Sequence, residues 1–269
     1  MSWTERQRSM LRAMGLAVWS PSIGAAQPDA GPPQGLASEP VPVDVPPRSV
    51  AAPPPMERPL RAAPREVEVI DPAAADAGGV AAMDWPALRA AVSACRACAL
   101  CESRTQTVFG VGHPQAELMV VGEAPGEQED LKGEPFVGPA GQLLDAMLQA
   151  IGLSRREGPP EQQVYIANTL KCRPPRNRNP EPAELAKCEP FLRRQLAMVQ
   201  PKIILAMGRF AVQQLLGSDE AVGRLRGRIH TYEGVPLVVT YHPAYLLRQP
   251  SDKAKAWEDL CLAASLLKQ

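Results

Sequence analysis

Four short apolar segments, separated by stretches with helical periodicity, limit what this chain can fold into more than any other feature. The segments are Glu117–Val121, Val164–Ala167, Lys202–Ala206 and Val235–Thr240. Each is almost continuously apolar, which is typical of strands in a parallel sheet that is covered on both faces. Helices are predicted at Trp85–Cys101, Ala140–Ile151, Glu181–Val199, Phe210–Leu216 and Ala254–Leu267. We therefore predict an α/β fold, a three-layer α/β/α sandwich with a central, mainly parallel four-stranded sheet.

Proline and aromatic residues are distributed unevenly along the chain. Fourteen of the 30 prolines lie between Pro21 and Pro72, whereas no aromatic residue lies between Trp19 and Trp85. Such a segment buries too little apolar surface to offset the entropy cost of ordering its backbone. We predict a short N-terminal leader at 1–19, for which a helix is one option, a disordered Pro/Ala-rich linker at 20–82, and one folded domain at 83–269.

The charge of the chain is balanced, with 29 Lys and Arg residues against 29 Asp and Glu residues. A chain of zero formal net charge has no overall field that attracts nucleic acid, so any such contact needs a local basic patch. The N-terminus lacks the apolar stretch of a signal peptide, and the longest apolar segments have only strand length. We expect a cytoplasmic protein that has no membrane partner.

Polar side chains follow the predicted strands at the points where these strands end. Glu123 comes after the first strand, Asn168 after the second, and His242 shortly after the fourth. Ligands of parallel sheets bind beyond the carboxyl ends of the strands, so these three side chains are expected to meet at one edge of the sheet. The sequence therefore predicts an active site there.

The chain has six cysteines, which are Cys95, Cys98, Cys101, Cys172, Cys188 and Cys261. The first two form a C-x2-C pair, and fifteen residues separate Cys172 from Cys188. Four thiolates from two distant segments suit either zinc or an iron–sulfur cluster, and the long second gap favours a cluster. Cys101 is a further thiol beside this site or an alternative ligand. Cys261 lies on an apolar helix stripe and is predicted to be buried.

Several short motifs occur in the order in which they occur in one known family. They are Gly122-Glu123-Ala124-Pro125-Gly126, Pro135-Phe136-Val137-Gly138, Asn168, Lys171-Cys172-Arg173-Pro174-Pro175-Arg176-Asn177-Arg178 and His242-Pro243-Ala244-Tyr245-Leu246-Leu247-Arg248. With the cysteines, this set closely resembles the family 4 uracil-DNA glycosylases over about residues 85–268. The resemblance implies an enzyme that hydrolyses the N-glycosidic bond of deoxyuridine in single- and double-stranded DNA. It also implies a [4Fe-4S] cluster, whose ligand pattern falls on Cys95, Cys98, Cys172 and Cys188.

The resemblance also implies roles for the residues at the strand ends. Asn168 would hydrogen-bond to uracil and exclude cytosine, whose donor and acceptor pattern is reversed. His242 would stabilise the charge that develops on uracil O2, and Glu123 would position water or stabilise the sugar cation. The remaining residues expected in the uracil pocket are Gly122 and Ala124 through their backbone, Glu129 by crowding the C5 position, and Phe136 by ring stacking.

Two groups of residues are expected to contact DNA around the flipped base. Tyr245, Leu246 and Leu247 are expected to fill the gap that the base leaves in the stack. Phosphate contacts are expected from basic residues near the predicted site, which are Lys171, Arg173, Arg176, Arg178, Arg224, Arg226, Arg228 and Arg248. We expect a monomer, and the sequence identifies no partner for the linker.

Two other functions stay open at this point. One is a glycosylase-like protein that binds uracil-containing DNA and crosslinks to it through a histidine, for which Arg228-Ile229-His230 is the nearest match. The other is a non-catalytic iron–sulfur module that binds DNA through the same basic patch. Catalytic release of uracil separates the enzyme from both.

Overall fold

Helices and strands alternate along the chain in the computed structural model, which describes residues 77–156 and 158–268. The strands are β1 (Val111–Gly112), β2 (Leu118–Gly122), β3 (Val164–Asn168), β4 (Ile203–Met207), β5 (Ile229–Tyr232) and β6 (Val235–Thr240). The α-helices are α1 (Ala77–Ala81), α2 (Trp85–Ala94), α3 (Leu100–Ser103), α4 (Glu127–Lys132), α5 (Pro139–Ala150), α6 (Pro182–Val199), α7 (Arg209–Leu216), α8 (Val222–Leu225), α9 (Pro243–Arg248) and α10 (Lys253–Leu266). Short 3-10 helices lie at Pro160–Gln162, Pro175–Asn177 and Pro250–Asp252.

The strands form one six-stranded sheet in the order β1-β3-β2-β4-β6-β5. The four central strands run parallel, and the register places Leu118 of β2 between Val164 of β3 and Ile203 of β4. At the two edges, β1 and β5 pair antiparallel with β3 and β6. The four predicted strands are confirmed. The prediction that the sheet has only four strands is wrong, because it omits both edge strands.

Helices cover both faces of the sheet. Leu118 and Val120 of β2 pack in one core cluster with side chains of α5 and α10. Met119 and Val121, which point the other way, pack in a second cluster with side chains of α6 and α7. A strand covered on both faces has no polar side, which explains why the sequence of β2 does not alternate. The predicted three-layer α/β/α sandwich is therefore confirmed.

The folded domain begins before the predicted boundary at residue 83. The predicted leader, and the predicted linker as far as residue 76, lie outside the described residues. Helix α1 falls inside the predicted linker, yet its Val80 is buried in a third core cluster with Leu88 and Phe191. One apolar side chain in an Ala/Gly-rich stretch produces no helical periodicity, so the sequence placed this boundary too late. Within the described part of the chain, no helix has the length and apolar character needed to cross a membrane.

Candidate active site

A cleft opens at the carboxyl ends of the central strands, where parallel sheets bind their ligands. It encloses about 620 Å³ of empty space, part of which is open to solvent. Its lining includes Glu123, Phe136, Asn168 and His242, and the sheet register places Gly122 beside Asn168. The three polar side chains that were expected to meet at one edge of the sheet do lie together in this cleft.

Asn168 ends β3 and is the most deeply buried polar side chain of the cleft, with 2% of its surface exposed. Its Oδ1 has no hydrogen-bond partner in the protein. An unpaired buried amide oxygen costs about 1–3 kcal/mol, so the arrangement suits a ligand that donates a hydrogen bond. Gly122 allows the Phe136 ring and the Asn168 amide to lie against its backbone, because a Cβ there would lie 2.7 Å from the Phe136 ring and would also collide with Asn168 Oδ1.

Phe136 holds its ring in the cleft through an unusual backbone conformation, with a φ of 55°. A left-handed conformation at a bulky residue costs about 1–3 kcal/mol and persists only where neighbouring contacts enforce it. The carboxylate of Glu129 accepts hydrogen bonds from the amides of the two residues after Phe136, at 3.0 and 3.2 Å. On the other side, Arg155 Nη1 donates to the carbonyl of Pro135 at 2.6 Å. The loop is thus fixed on both sides of the ring.

Glu129 lines the cleft, but its contacts are with the backbone. Besides the two amides after Phe136, its carboxylate accepts a hydrogen bond from Gly126 N at 3.1 Å. These contacts give Glu129 a structural function at the cleft. Its expected crowding of uracil C5 stays a prediction. Arg155 also holds the loop that carries Phe136. It was not identified from the sequence, because no local sequence pattern distinguishes it from neighbouring Arg156.

His242 stands at the start of α9, and its ring stacks on Phe136 with 5.4 Å between centroids. Its Nδ1 accepts a hydrogen bond from Ala244 N at 3.2 Å, which leaves the proton of a neutral ring on Nε2. Burial lowers the pKa of His242 to about 4; the charge of Arg248 also lowers it, while Glu129 opposes the shift. The imidazole is therefore neutral at neutral pH and offers one Nε2–H donor.

Glu123 follows β2 and lines the same cleft. Burial raises the pKa of its carboxyl group above the ordinary glutamate value, and the charge of Arg209 partly offsets this shift. A carboxylate with a raised pKa takes up a proton more readily than an exposed one. Glu123 is thus suited to act as a base or to stabilise a nearby positive charge.

Two of the residues predicted to contact DNA are buried, and these predictions are wrong. Lys171 is 1% exposed, because its side chain extends from the loop after β3 into the domain and not towards the rim of the cleft. Leu246 is fully buried in the core, because it lies on the inner face of α9. Leu247 is 44% exposed and is available as a wedge, whereas Tyr245 donates through its hydroxyl to Asp252 at 2.6 Å.

The arginines predicted to bind phosphate differ in whether a carboxylate of the protein already occupies their guanidinium group. Arg178 lines the cleft, but it donates two hydrogen bonds to Glu184, at 2.6 and 2.9 Å. Arg173 forms an ion pair of 3.5 Å with a carboxylate of α4. Arg176 and Arg248 are exposed. Phosphate contacts at these four arginines stay a prediction, with Arg176 and Arg248 as the freest of them.

A second cavity is lined by five thiols, those of Cys95, Cys98, Cys101, Cys172 and Cys188. The predicted helix Trp85–Cys101 is interrupted here: α2 ends at Ala94, and Cys95 leaves the helix with a ψ of 131°. All six cysteines are free thiols, and Cys261 is exposed rather than buried as predicted. Among the described residues, no three or more His, Cys, Asp or Glu side chains are grouped to hold a single metal ion.

Two of the thiols in this cavity accept hydrogen bonds, one from an arginine side chain and one from a backbone amide. Arg104 donates through Nη1 to Cys172 Sγ at 2.9 Å and through Nη2 to the carbonyl of Cys95 at 2.8 Å. The backbone amide of Lys171 donates to Cys188 Sγ at 3.3 Å. Burial raises the pKa of Cys188 to about 12, and Lys171 opposes this shift. Arg104 links the two cysteine segments, and the sequence alone did not distinguish it from an ordinary surface arginine.

Comparison with known proteins agrees with this geometry. Residues 109–261 match the model of the uracil DNA glycosylase superfamily. The chain is 45% identical over 167 residues to the type-4 uracil-DNA glycosylase of Archaeoglobus fulgidus. The aligned segment covers 59% of this chain and 81% of that protein. The chain belongs to the type-4 uracil-DNA glycosylases. Among other members of this family, it is 40% identical over 182 residues to the protein of Thermotoga maritima, covering 66% of this chain and 92% of that protein.

A type-5 uracil-DNA glycosylase is also similar to this type-4 chain. The type-5 protein of Pyrobaculum aerophilum is 35% identical over 147 residues, covering 50% of this chain and 64% of that protein. The crosslinking alternative receives no support from the position of its candidate histidine. His230 lies on edge strand β5, where its Nε2 contacts the carbonyl of Leu225 at 2.7 Å. His242 is the one histidine of the described chain that lines the cleft.

Proposed function

We propose that this protein removes uracil from single- and double-stranded DNA by hydrolysing the N-glycosidic bond of deoxyuridine, which leaves an abasic site. The observation that carries the proposal is the buried amide of Asn168, whose Oδ1 has no partner in the protein. Release of free uracil from a deoxyuridine oligonucleotide tests it, with the same oligonucleotide carrying thymidine as the control.

Asn168 supplies the recognition of the base. Its Oδ1 accepts a hydrogen bond from uracil N3–H, and its Nδ2 donates to uracil O4. Cytosine presents an unprotonated N3 and an amino group at the same positions, so both hydrogen bonds are lost and polar groups are left unpaired. The base must leave the stack to reach this depth, and the face of Phe136 then offers it a stacking surface.

His242 and Glu123 act where the two opposite charges develop during the reaction, on uracil and on the deoxyribose. As the bond breaks, negative charge collects on uracil and positive charge on the deoxyribose. The neutral His242 ring donates from Nε2 to uracil O2, where a fixed donor stabilises the departing anion. Glu123 orients the attacking water or stabilises the sugar cation.

Substitution of Glu123 by glutamine is expected to lower the single-turnover excision rate by about 10²-fold, because the amide neither accepts a proton nor carries charge. In the wild-type protein the rate falls as the pH drops through the raised pKa of Glu123, since only the ionised form acts. The variant has a uniformly low rate without this acid limb. Single-turnover rates measured from acid to neutral pH check both statements. An unchanged acid limb in Glu123→Gln would exclude Glu123 as the titrating group.

The cavity with five thiols fits an iron–sulfur cluster better than a single ion. Four of its thiols, on Cys95, Cys98, Cys172 and Cys188, match the ligand pattern implied by the family resemblance, and all four line this one cavity. The donors of Arg104 and the Lys171 amide offset the negative charge of thiolates. These four cysteines would hold a [4Fe-4S] cluster, which would crosslink the segment after α2 to the loop after β3, and the uracil chemistry stays with the residues of the cleft.

Replacement of Cys172 by serine is expected to abolish the visible absorbance of the purified protein and to reduce its iron content. Its Tm also falls, because metal binding and folding are coupled. Cys261→Ser is the matched control, since this thiol is exposed on α10 and should leave both quantities unchanged. Full iron content in Cys172→Ser would contradict the ligand assignment.

A further inference from the structure

Lys171 is a lysine in an unusual position, fully inside the domain at 1% exposure. A buried ammonium group is costly unless acceptors surround it. Its Nζ donates to the backbone carbonyl of Asn168 at 2.8 Å and to Gln195 Oε1 at 2.6 Å. Gln195 is itself fully buried, and its Nε2 donates to the carbonyl of Phe109 at 2.9 Å and to the hydroxyl of Tyr165 at 3.1 Å. The ammonium is thus held by a network that spans β3 and α6.

The same residue touches the cysteine cavity through its backbone. Lys171 precedes Cys172 directly, and its amide donates to Cys188 Sγ at 3.3 Å. Its side chain therefore binds the residue that ends β3, while its main chain binds the cysteine site. The two sites of the domain meet at this one residue.

Asn168 needs such support more than an ordinary buried amide does. Its Oδ1 has no partner in the protein, so that atom gains no fixed direction from a side-chain hydrogen bond. The direction of the amide then depends on the peptide that carries it. That peptide's carbonyl is where Lys171 Nζ binds, at 2.8 Å.

We propose that Lys171 is a positioning residue that fixes the Asn168 carbonyl to the cysteine-bearing loop and thereby orients the Asn168 amide for the base. This inference rests on the proposed function. It assigns the lysine to uracil recognition from inside the domain, in place of the phosphate contact expected from the sequence. It also implies that a disturbed cysteine site would shift Lys171 and, through it, Asn168. Excision would then slow although the cysteine site does not contact the substrate.

Lys171→Met keeps the length of the side chain and removes its three N–H donors. We expect kcat/KM for uracil excision to fall by about 10²-fold, because a misplacement of about 1 Å in how the base is held has an effect of that size. Visible absorbance and iron content stay at the wild-type level, since all cysteines are retained. Lys187→Met is the matched control, because this lysine also lines the thiol cavity but is exposed, and its kcat/KM is expected to be unchanged.

The single variant Gln195→Leu separates positioning from stability. It leaves Lys171 Nζ, the Phe109 carbonyl and the Tyr165 hydroxyl without their Gln195 partner, so Tm is expected to fall at least as far as in Lys171→Met. Lys171 Nζ still donates to the Asn168 carbonyl in this variant, so excision is expected to fall much less than in Lys171→Met. An equal loss of excision in the two variants would overturn the proposal, and so would a loss of iron that parallels the loss of excision. A wild-type protein that releases no uracil would instead refute the proposed function.

Discussion

Replacement of Asn168 by alanine is expected to lower kcat/KM for uracil excision by about 10³-fold, the largest effect of any single substitution in the cleft. The change removes both hydrogen bonds to the base edge. It also removes the unpaired Oδ1 whose burial costs free energy, so the free energy of unfolding should stay the same or increase. A lower rate in a protein of equal or higher Tm is the combination expected of a residue kept for binding.

Asn179→Ala is the matched control for this substitution. Asn179 is exposed and does not line the cleft, so its removal should change neither rate nor Tm. Single-turnover excision at saturating enzyme, with Tm and visible absorbance measured on the same preparations, makes the comparison. A wild-type rate in Asn168→Ala would remove Asn168 from uracil recognition.

Substitution of His242 is expected to lower kcat by about 10²-fold or more, with a smaller effect on KM, because its donor acts on charge that develops only as the bond breaks. His242 also caps α9 through Nδ1, and loss of a cap costs about 1 kcal/mol. Two variants separate these functions. His242→Ala loses both, whereas His242→Asn keeps a capping acceptor but carries no ring nitrogen that extends into the cleft. Equal rate losses with a higher Tm for the asparagine variant are expected.

The pH dependence gives a further check on His242. Burial lowers its pKa to about 4, so the ring stays neutral from neutral pH down to that value. The contribution of His242, taken as the ratio of wild-type to His242→Asn rates, is therefore expected to be constant between neutral pH and mildly acidic pH. A ratio that changes steeply near the ordinary histidine pKa would show that a charged imidazole acts instead. His230→Ala, on the edge strand, should behave as wild type.

The parts of the fold that the sequence predicted are those in which one segment carries its own signal. The four central strands are apolar on both faces, and this pattern is visible without any knowledge of the neighbours. The edge strands lack it: β1 has two residues, and β5 alternates between exposed and half-buried positions. Both are stabilised by pairing with a central strand, which is a contact between distant parts of the chain.

The errors at the site have the same physical origin. Lys171 stands among basic residues in sequence, and only Gln195, 24 positions away on α6, makes its burial possible. Leu246 adjoins the exposed Leu247, and the orientation of α9 decides which of them packs inside. Asn168 and His242 were placed correctly because parallel strands end at a common edge, a rule that follows from the topology.

Multiple turnover on a defined DNA substrate is the decisive test of uracil excision by this protein. The protein is incubated, at a small fraction of the DNA concentration, with an oligonucleotide that carries a single deoxyuridine, and free uracil and alkali-labile strand are quantified. We expect many equivalents of uracil per protein, matched by strand breakage at the uracil position after alkali, and no reaction with the thymidine or cytidine oligonucleotide. Absence of uracil release, or one equivalent of a DNA adduct that survives denaturation, would exclude catalytic uracil excision.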